Sequence, residues 1–361
     1  MTAQVDVIVP VHSQTRPIAR LAESVLMHTR LPVRIIVVAH NIDASLVASS
    51  LREFASDPRV EIVELRDGIP SPAGPLNAGL DRVTAPWFTK IDSDDHLRPG
   101  AIDGWVERAV STGADAVIPP MVLPASGVGF PTPPRRPFRR RLDPVRDRLS
   151  YRTSTMGLFD AELRDLARPI AGLETGEDIL PSIRLWFGAR RIVAARERDA
   201  YLVGEGAEDR VTESGRPFAA ELAFAQVIGD DAAWNRMSRE ARDAVTRKLI
   251  RVHVLGALGR RGVTAEAIAA SGRALEVLIG TDPSPLKPLS RLDNELIAAL
   301  RSSDVTQSEI GALVERRRRY AQPAALLTPA LRHVAHRDGP VRFLAASLLA
   351  QRRAGRAALA T

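Results

Sequence analysis

Short runs of apolar, β-branched residues, each closed by a turn signal and separated by helix-period segments, most constrain the first third of this 361-residue chain. They fall at residues 5–10 (Val-Asp-Val-Ile-Val-Pro), 34–39 (Arg-Ile-Ile-Val-Val-Ala), 60–65, 87–91 and 116–119. Runs of this length, rich in Val and Ile, read as strands buried on both faces. Between them Ile18, Leu21, Val25 and Leu26 recur at helical spacing, and residues 46–54 read as a second helix. Strand and helix in alternation predict an α/β unit: a Rossmann-like, mostly parallel sheet with helices on both faces. Such sheets bind ligands beyond the carboxyl ends of their strands, so residues just after each strand carry most of the functional signal.

The pattern then changes twice. Residues 119–148 are rich in Pro and carry Arg135, Arg136, Arg139, Arg140 and Arg141, which predicts a long irregular segment. From residue 217 the chain reads as helical, with helices expected at 232–258, 264–279, 289–301 and 306–320 and loops at Gly262, 282–285 and Pro323. The expected organisation is therefore an α/β domain over 1–216 and an all-helical domain over 217–361. The second would bind acceptor, self-associate or touch a membrane surface.

Composition removes several classes. Cys is absent, so neither a disulfide framework nor a thiolate metal site is available. No apolar run reaches the ~18 residues of a spanning helix, and the start lacks a signal-peptide pattern, so a cytoplasmic location is expected, at most at the inner membrane face. The net charge of +7 invites a nucleic-acid reading. Yet Lys occurs only at 90, 248 and 287, and abundant Ala, Arg and Pro reflect a compositional bias. No motif interleaves aromatics with that charge, so no nucleic-acid partner is expected.

The sharpest local signal is Lys90-Ile-Asp92-Ser93-Asp94-Asp95-His96, directly after a predicted strand. Three carboxylates in four residues repel one another unless a cation offsets them. Mg²⁺ and Mn²⁺ take oxygen ligands and share them with substrate phosphates. The competing reading is an Asp-rich turn or helix cap.

The order of the surrounding motifs resembles family 2 glycosyltransferases. It comprises Val9-Pro10-Val11, Gly74-Pro-Leu-Asn77-Ala-Gly79, the strand running into Asp92-Ser-Asp94-Asp95, Pro99-Gly100, and Thr175-Gly176-Glu177-Asp178. The resemblance spans residues 4–214 and implies a GT-A fold and an inverting transfer of sugar from a nucleotide diphosphate donor. It implies Asp92 and Asp94 as ligands of Mn²⁺ or Mg²⁺, and Asp178 as general base with Glu177 beside it. Pro10, Val11, His12, Asn41, Asp43, Asp67, Asn77, Lys90, Asp92, Ser93 and Arg210 would then bind the nucleotide sugar. The chain departs from the family at Ala39-His40-Asn41-Ile42-Asp43, where an acidic pair is usual, and at Leu76, where many relatives carry a basic residue.

Beside the base reading, the Glu177–Asp178 pair also suits an acidic helix N-terminus. An anionic polymer acceptor would suit the Arg clusters at 135–141 and 316–319. The segment 341–353 suits either a basic helix lying on lipid or a helix packed on the bundle. The acceptor implied is a cell-envelope polysaccharide or polyol-phosphate polymer. The alternative is a catalytically idle binding or scaffold protein on the same fold.

Overall fold

The computed structural model describes residues 2–123, 140–153, 155–204, 216–319, 322–346 and 348–349. The α/β part opens with β1 (Val5–Val11), α1 (Ile18–Leu26), β2 (Val33–His40), α2 (Ala44–Leu51), β3 (Val60–Leu65), α3 (Ala73–Asp81) and β4 (Trp87–Lys90). It continues with β5 (His96–Leu97), α4 (Ala101–Thr112), β6 (Ala116–Ile118), β7 (Met121–Val122), β8 (Arg141–Leu142) and β9 (Leu158–Asp160). It closes with α5 (Ile179–Gly188), β10 (Ile192–Ala194) and β11 (Tyr201–Leu202). Among the described residues eight strands form one sheet in the order β3-β2-β1-β4-β9-β6-β10-β8, and three form a second in the order β5-β11-β7.

The expected mostly parallel sheet is there. β3, β2, β1 and β4 run parallel, as do β6 and β10. β9 is antiparallel to both β4 and β6 and joins the two parallel blocks. At three residues it is too short to show alternation in the sequence, and so are β8 and β10.

The one charged residue inside the first apolar run has a specific use. Asp6 is fully buried and faces Arg34, its register partner on β2. Two parallel bonds of 2.9 Å join the guanidinium to the carboxylate, and the Asp6 carboxylate also accepts from the N–H groups of Thr84 and Ala85. Asp6→Ala leaves those donors unsatisfied and takes from Arg34 its buried carboxylate partner, leaving it Glu61, the Arg82 carbonyl and Thr84. It is expected to lower unfolding free energy by about 3–5 kcal/mol, read by urea denaturation.

The helical part comprises α6 (Phe218–Leu222), α7 (Phe224–Gly229), α8 (Ala232–Arg236), α9 (Arg239–Lys248), α10 (Leu255–Arg261), α11 (Ala265–Ile279), α12 (Arg291–Leu300), α13 (Gln307–Arg318) and α14 (Pro323–Leu326). Ser238, Thr264, Ser290 and Thr306 cap α9, α11, α12 and α13 through their side-chain oxygens. The single helix expected over 232–258 is not continuous. It breaks before the Ser238 cap, and a π-helical turn, Leu249–Val254, separates α9 from α10. Pro323, expected in a loop, instead starts α14, where its missing N–H costs no helical bond.

α5 belongs to two cores at once. Leu185 and Trp186 pack under the sheet with Phe159, whose ring centroid lies 5.8 Å from that of Trp186. Ile179, Leu180 and Ile183 pack with Phe224, Val245, Leu249 and Leu275 of the helical part. Helix α5 is thus the seam between the parts, and its first turn opens where they meet.

The described end of the chain packs inward. The Phe343 ring lies 5.2 Å from that of Tyr151, with the Arg251 guanidinium 4.3 Å from its centroid. That favours bundle packing over the lipid-facing reading for this stretch, although Leu348 and Leu349 are exposed and residues 350–361 lie outside the described residues. No helix among the described residues is long and apolar enough to cross a membrane.

Candidate active site

A cleft of about 850 Å³ opens at the carboxyl ends of β1, β2 and β4. Pro10, Val11 and His12 line it from the end of β1, His40 and Asn41 from the end of β2, and Lys90, Asp92, Ser93, Asp94 and Asp95 from the end of β4. Glu177 and Asp178 line the same cleft from the turn before α5. Two acidic clusters more than eighty residues apart in sequence therefore share one cavity.

The turn after β4 is fixed from the small sheet. The Tyr201 hydroxyl accepts from the Asp92 N–H at 3.1 Å and donates to Asp95 at 2.5 Å. The Gly204 N–H donates to the other Asp95 oxygen at 2.6 Å. A Cβ on Gly204 would lie 2.2 Å from the Asp94 carbonyl oxygen, so only glycine permits this approach. Burial raises the Asp95 pKa to about 7. Asp95 is thus a structural member of the acidic trio, leaving Asp92 and Asp94 for chemistry. Tyr201→Phe is expected to destabilise the fold by about 1–3 kcal/mol, read by urea denaturation, because the Asp92 N–H loses its partner and Asp95 one of its two donors.

Dehydration raises the Asp92 pKa, and the charges of Asp94 and Asp178 add to it, while Lys90 and Arg16 oppose it. Arg16 Nη1 lies 3.2 Å from Asp94 Oδ2, and Arg20 Nη2 donates to the Asp94 carbonyl at 2.8 Å. A dehydrated carboxylate beside a second one, both of hard oxygen, fits a divalent cation. Among the described residues no group of three or more His, Cys, Asp or Glu could hold a metal by itself.

Asp178 occupies the N-cap position of α5, yet its side chain makes no capping bond. Gly176 turns the chain into this position at φ +75°, in the left-handed region. Burial raises the Asp178 pKa, and the charges of Lys90 and then Lys248 pull it back. Glu177 is pushed up to about 7 by burial and by Asp178. The acidic pair is therefore not consumed by helix capping.

Three residues expected to bind donor, Asp43, Asp67 and Asn77, do not line the cleft. Asp43 is exposed and ion-paired with Arg66. Asp67 stands one step behind the wall, accepting from Ile69 N–H and paired at 2.8 Å with His40 Nε2. Asn41, at φ +57°, reaches both Asp67 and the Gly68 N–H. Asn77 spends its amide on the Pro169 carbonyl at 3.1 Å, tying α3 to a loop. Arg210 lies outside the described residues, as do Arg135, Arg136 and Arg139. Of the second Arg cluster, Arg316, Arg317 and Arg318 pair with Glu295, Asp293 and Glu315, which weakens its reading as a polymer-binding patch.

Sequence reasoning missed Arg16, His40, Tyr151, Arg152 and Glu174 on the cleft wall. Arg16 carried a readable signal, a cation right after the first strand. Tyr151 and Arg152 follow an irregular segment whose path nothing in the sequence predicts.

The glycosyl transferase family 2 profile matches residues 6–166. Over 115 residues the chain is 32% identical to the succinoglycan biosynthesis protein ExoO of Rhizobium meliloti (strain 1021), a match covering 32% of each chain. The chain thus spans about a third of that relative's length. In architecture it is similar to S. aureus TarS 1-349 solved with UDP-GlcNAc, with a TM-score of 0.72 at 15% identity over 88% of this chain and 93% of that one. A further structure of TarS from S. aureus gives 0.68 at 17% identity, covering 86% of this chain and 55% of that one. The motif order, the matched profile and the shared architecture agree: residues 6–166 match the glycosyl transferase family 2 profile, and the chain has the GT-A architecture it shares with TarS, followed by a helical part.

Proposed function

We propose that the chain transfers a hexosyl or N-acetylhexosaminyl group, with inversion, from a UDP-sugar to a hydroxyl of a cell-envelope polysaccharide or polyol-phosphate polymer. One observation carries this reading: Asp92 and Asp94 line the same cleft as Glu177 and Asp178, with room for a sugar nucleotide. Residues 1–216 form the transferase unit in this account, and 217–361 a helical unit that builds the acceptor side or mediates self-association. The donor class draws support from TarS, solved with UDP-GlcNAc, and the envelope acceptor from ExoO, named for succinoglycan biosynthesis.

The nucleotide lies against Pro10, Val11, His12, His40 and Asn41, with Asp67 holding His40 and Asn41 in place. Lys90 and Ser93 stand beside the phosphates, and Arg210 remains a further candidate for them. Asp92 and Asp94 would hold Mn²⁺ or Mg²⁺, which as a Lewis acid offsets charge on the departing diphosphate. Asp178 accepts the proton of the acceptor hydroxyl as that oxygen bonds to the anomeric carbon. The bond from that carbon to the phosphate oxygen breaks with its electron pair, and the nucleoside diphosphate leaves from the opposite face. Glu177 orients the acceptor beside the base.

The test is donor turnover across a panel of UDP-hexoses and UDP-N-acetylhexosamines, with and without Mn²⁺, against oligosaccharide and polyol-phosphate acceptors. Release of UDP dependent on both metal and acceptor is the expected result. Neither binding nor turnover with any donor would overturn the reading in favour of an idle scaffold.

A further inference from the structure

The turn that follows β4 is held along one face of α1. Ser24 Oγ accepts from the Leu97 N–H at 3.2 Å, and a turn earlier Arg20 Nη2 donates to the Asp94 carbonyl at 2.8 Å. Arg16, a turn earlier again and just ahead of the helix, reaches the Asp94 side chain instead, with Nη1 3.2 Å from Oδ2. Tyr201 and Gly204 hold the same turn from the small sheet. The backbone at Asp94 is thus anchored by groups other than Arg16, and the ion pair is not what places the turn.

That pair is nearly dry, with the Arg16 side chain 7% exposed and that of Asp94 16%. Withdrawing a guanidinium from water is costly, and one carboxylate contact returns only part of the loss. Both groups nevertheless line the cleft, together with Lys90 and Ser93. His12 Nε2 stands 3.4 Å from Arg16 Nη2, so the guanidinium is braced at both of its terminal nitrogens. A planar fork of N–H donors matches the spacing of phosphate oxygens, and a fork already braced loses little freedom on meeting them.

We propose that Arg16 is the resident cation of the donor's diphosphate subsite: it draws in the diphosphate with or without a metal, and keeps a bare divalent cation off Asp94 until phosphate oxygens are present. The inference rests on the reading of this cleft as a UDP-sugar site with Asp94 toward the cation. It assigns the metal-independent share of donor affinity to Arg16 and the metal-dependent share to Asp94. It also sets an order of entry. A divalent cation arriving alone meets the Arg16 charge beside its ligand, whereas one arriving with or after the donor finds that charge offset. One positive charge must therefore act in opposite directions on the two ligands, while a residue that only shaped the fold would weaken both.

Calorimetry in chelator with uridine, UMP and UDP tests the first half on the parent protein. UDP is expected to bind at least ~100-fold tighter than uridine without metal. In Arg16→Gln the UDP affinity falls ~10–100-fold and that of uridine stays within about twofold. Electron paramagnetic resonance of Mn²⁺ without nucleotide tests the second half: Arg16→Gln is expected to bind Mn²⁺ ~3–10-fold tighter than the parent. Arg16→Lys, which keeps the charge and loses the fork, holds Mn²⁺ affinity near the parent value. A thermal melt checks the fold of each variant, and the parent arm needs none. A gain of UDP over uridine that appears only with Mn²⁺ overturns the proposal and leaves the donor reading standing. Parent-like UDP affinity in a folded Arg16→Gln, or weaker binding of UDP and Mn²⁺ together, overturns it equally. A parent that binds none of the three nucleotides in either buffer sinks the donor reading itself, and the proposal with it.

Discussion

Asp178→Asn is expected to reduce transfer by ~10²–10⁴-fold while leaving donor affinity within about twofold. The substitution keeps size and shape but removes the lone pair that takes the acceptor's proton. Little structural cost should follow, because the Asp178 side chain makes no capping bond to α5. Loss confined to kcat, with calorimetric donor affinity retained, marks a group used only after the donor is seated. Transfer near the parent rate would remove Asp178 from the chemistry. The same residue sets a pH dependence. Burial raises its pKa above the ordinary carboxylate range, and a base works only when ionised. Activity should therefore fall on the acid side with a midpoint above that range, and the limb should be abolished in the Asn variant's residual rate.

Asp94→Ala is expected to lower donor affinity in Mn²⁺ by ~100-fold, with affinity measured in chelator unchanged. Calorimetry in the two buffers separates those terms. Removing Asp94 also takes the carboxylate partner from Arg16, whose side chain is only 7% exposed. A thermal melt therefore accompanies the titration, and Asp94→Asn serves as the milder variant. Equal donor affinity in parent and variant with Mn²⁺ would separate this carboxylate from the cation.

The parallel core was legible because its strands are long enough to show their character. β1, β2 and β3 carry six to eight residues each and matched the apolar runs closely. β8, β9 and β10 carry two or three and owe their place to neighbours rather than to local pattern. The helical caps at Thr264 and Thr306 fall at the starts of the expected helical segments, where a side-chain oxygen before an apolar repeat has a local physical reason. The π turn was not, because nothing in Leu-Ile-Arg-Val-His-Val departs from an ordinary helical pattern.

The site was legible in the same uneven way. Asp92, Asp94 and Asp178 were singled out from strand ends and motif order, and all three line the cleft. Asp95 looked equivalent to its neighbours until Tyr201, over a hundred residues later, was seen to claim it. Asp43 looked available until Arg66 was found beside it. Local chemistry is written in the sequence, while the pairing that consumes or redirects a charge appears only in three dimensions.

The central claim is that a cation and a sugar lie between Asp94 and Asp178 in one cleft. Diffraction from crystals of Asp178→Asn grown with UDP-N-acetylglucosamine and Mn²⁺ tests it most directly, through the anomalous signal of the metal. The account expects one metal peak bound by Asp94 and the donor diphosphate, with the anomeric carbon turned toward position 178. A metal or donor lodged elsewhere, with position 178 facing empty solvent, would contradict it.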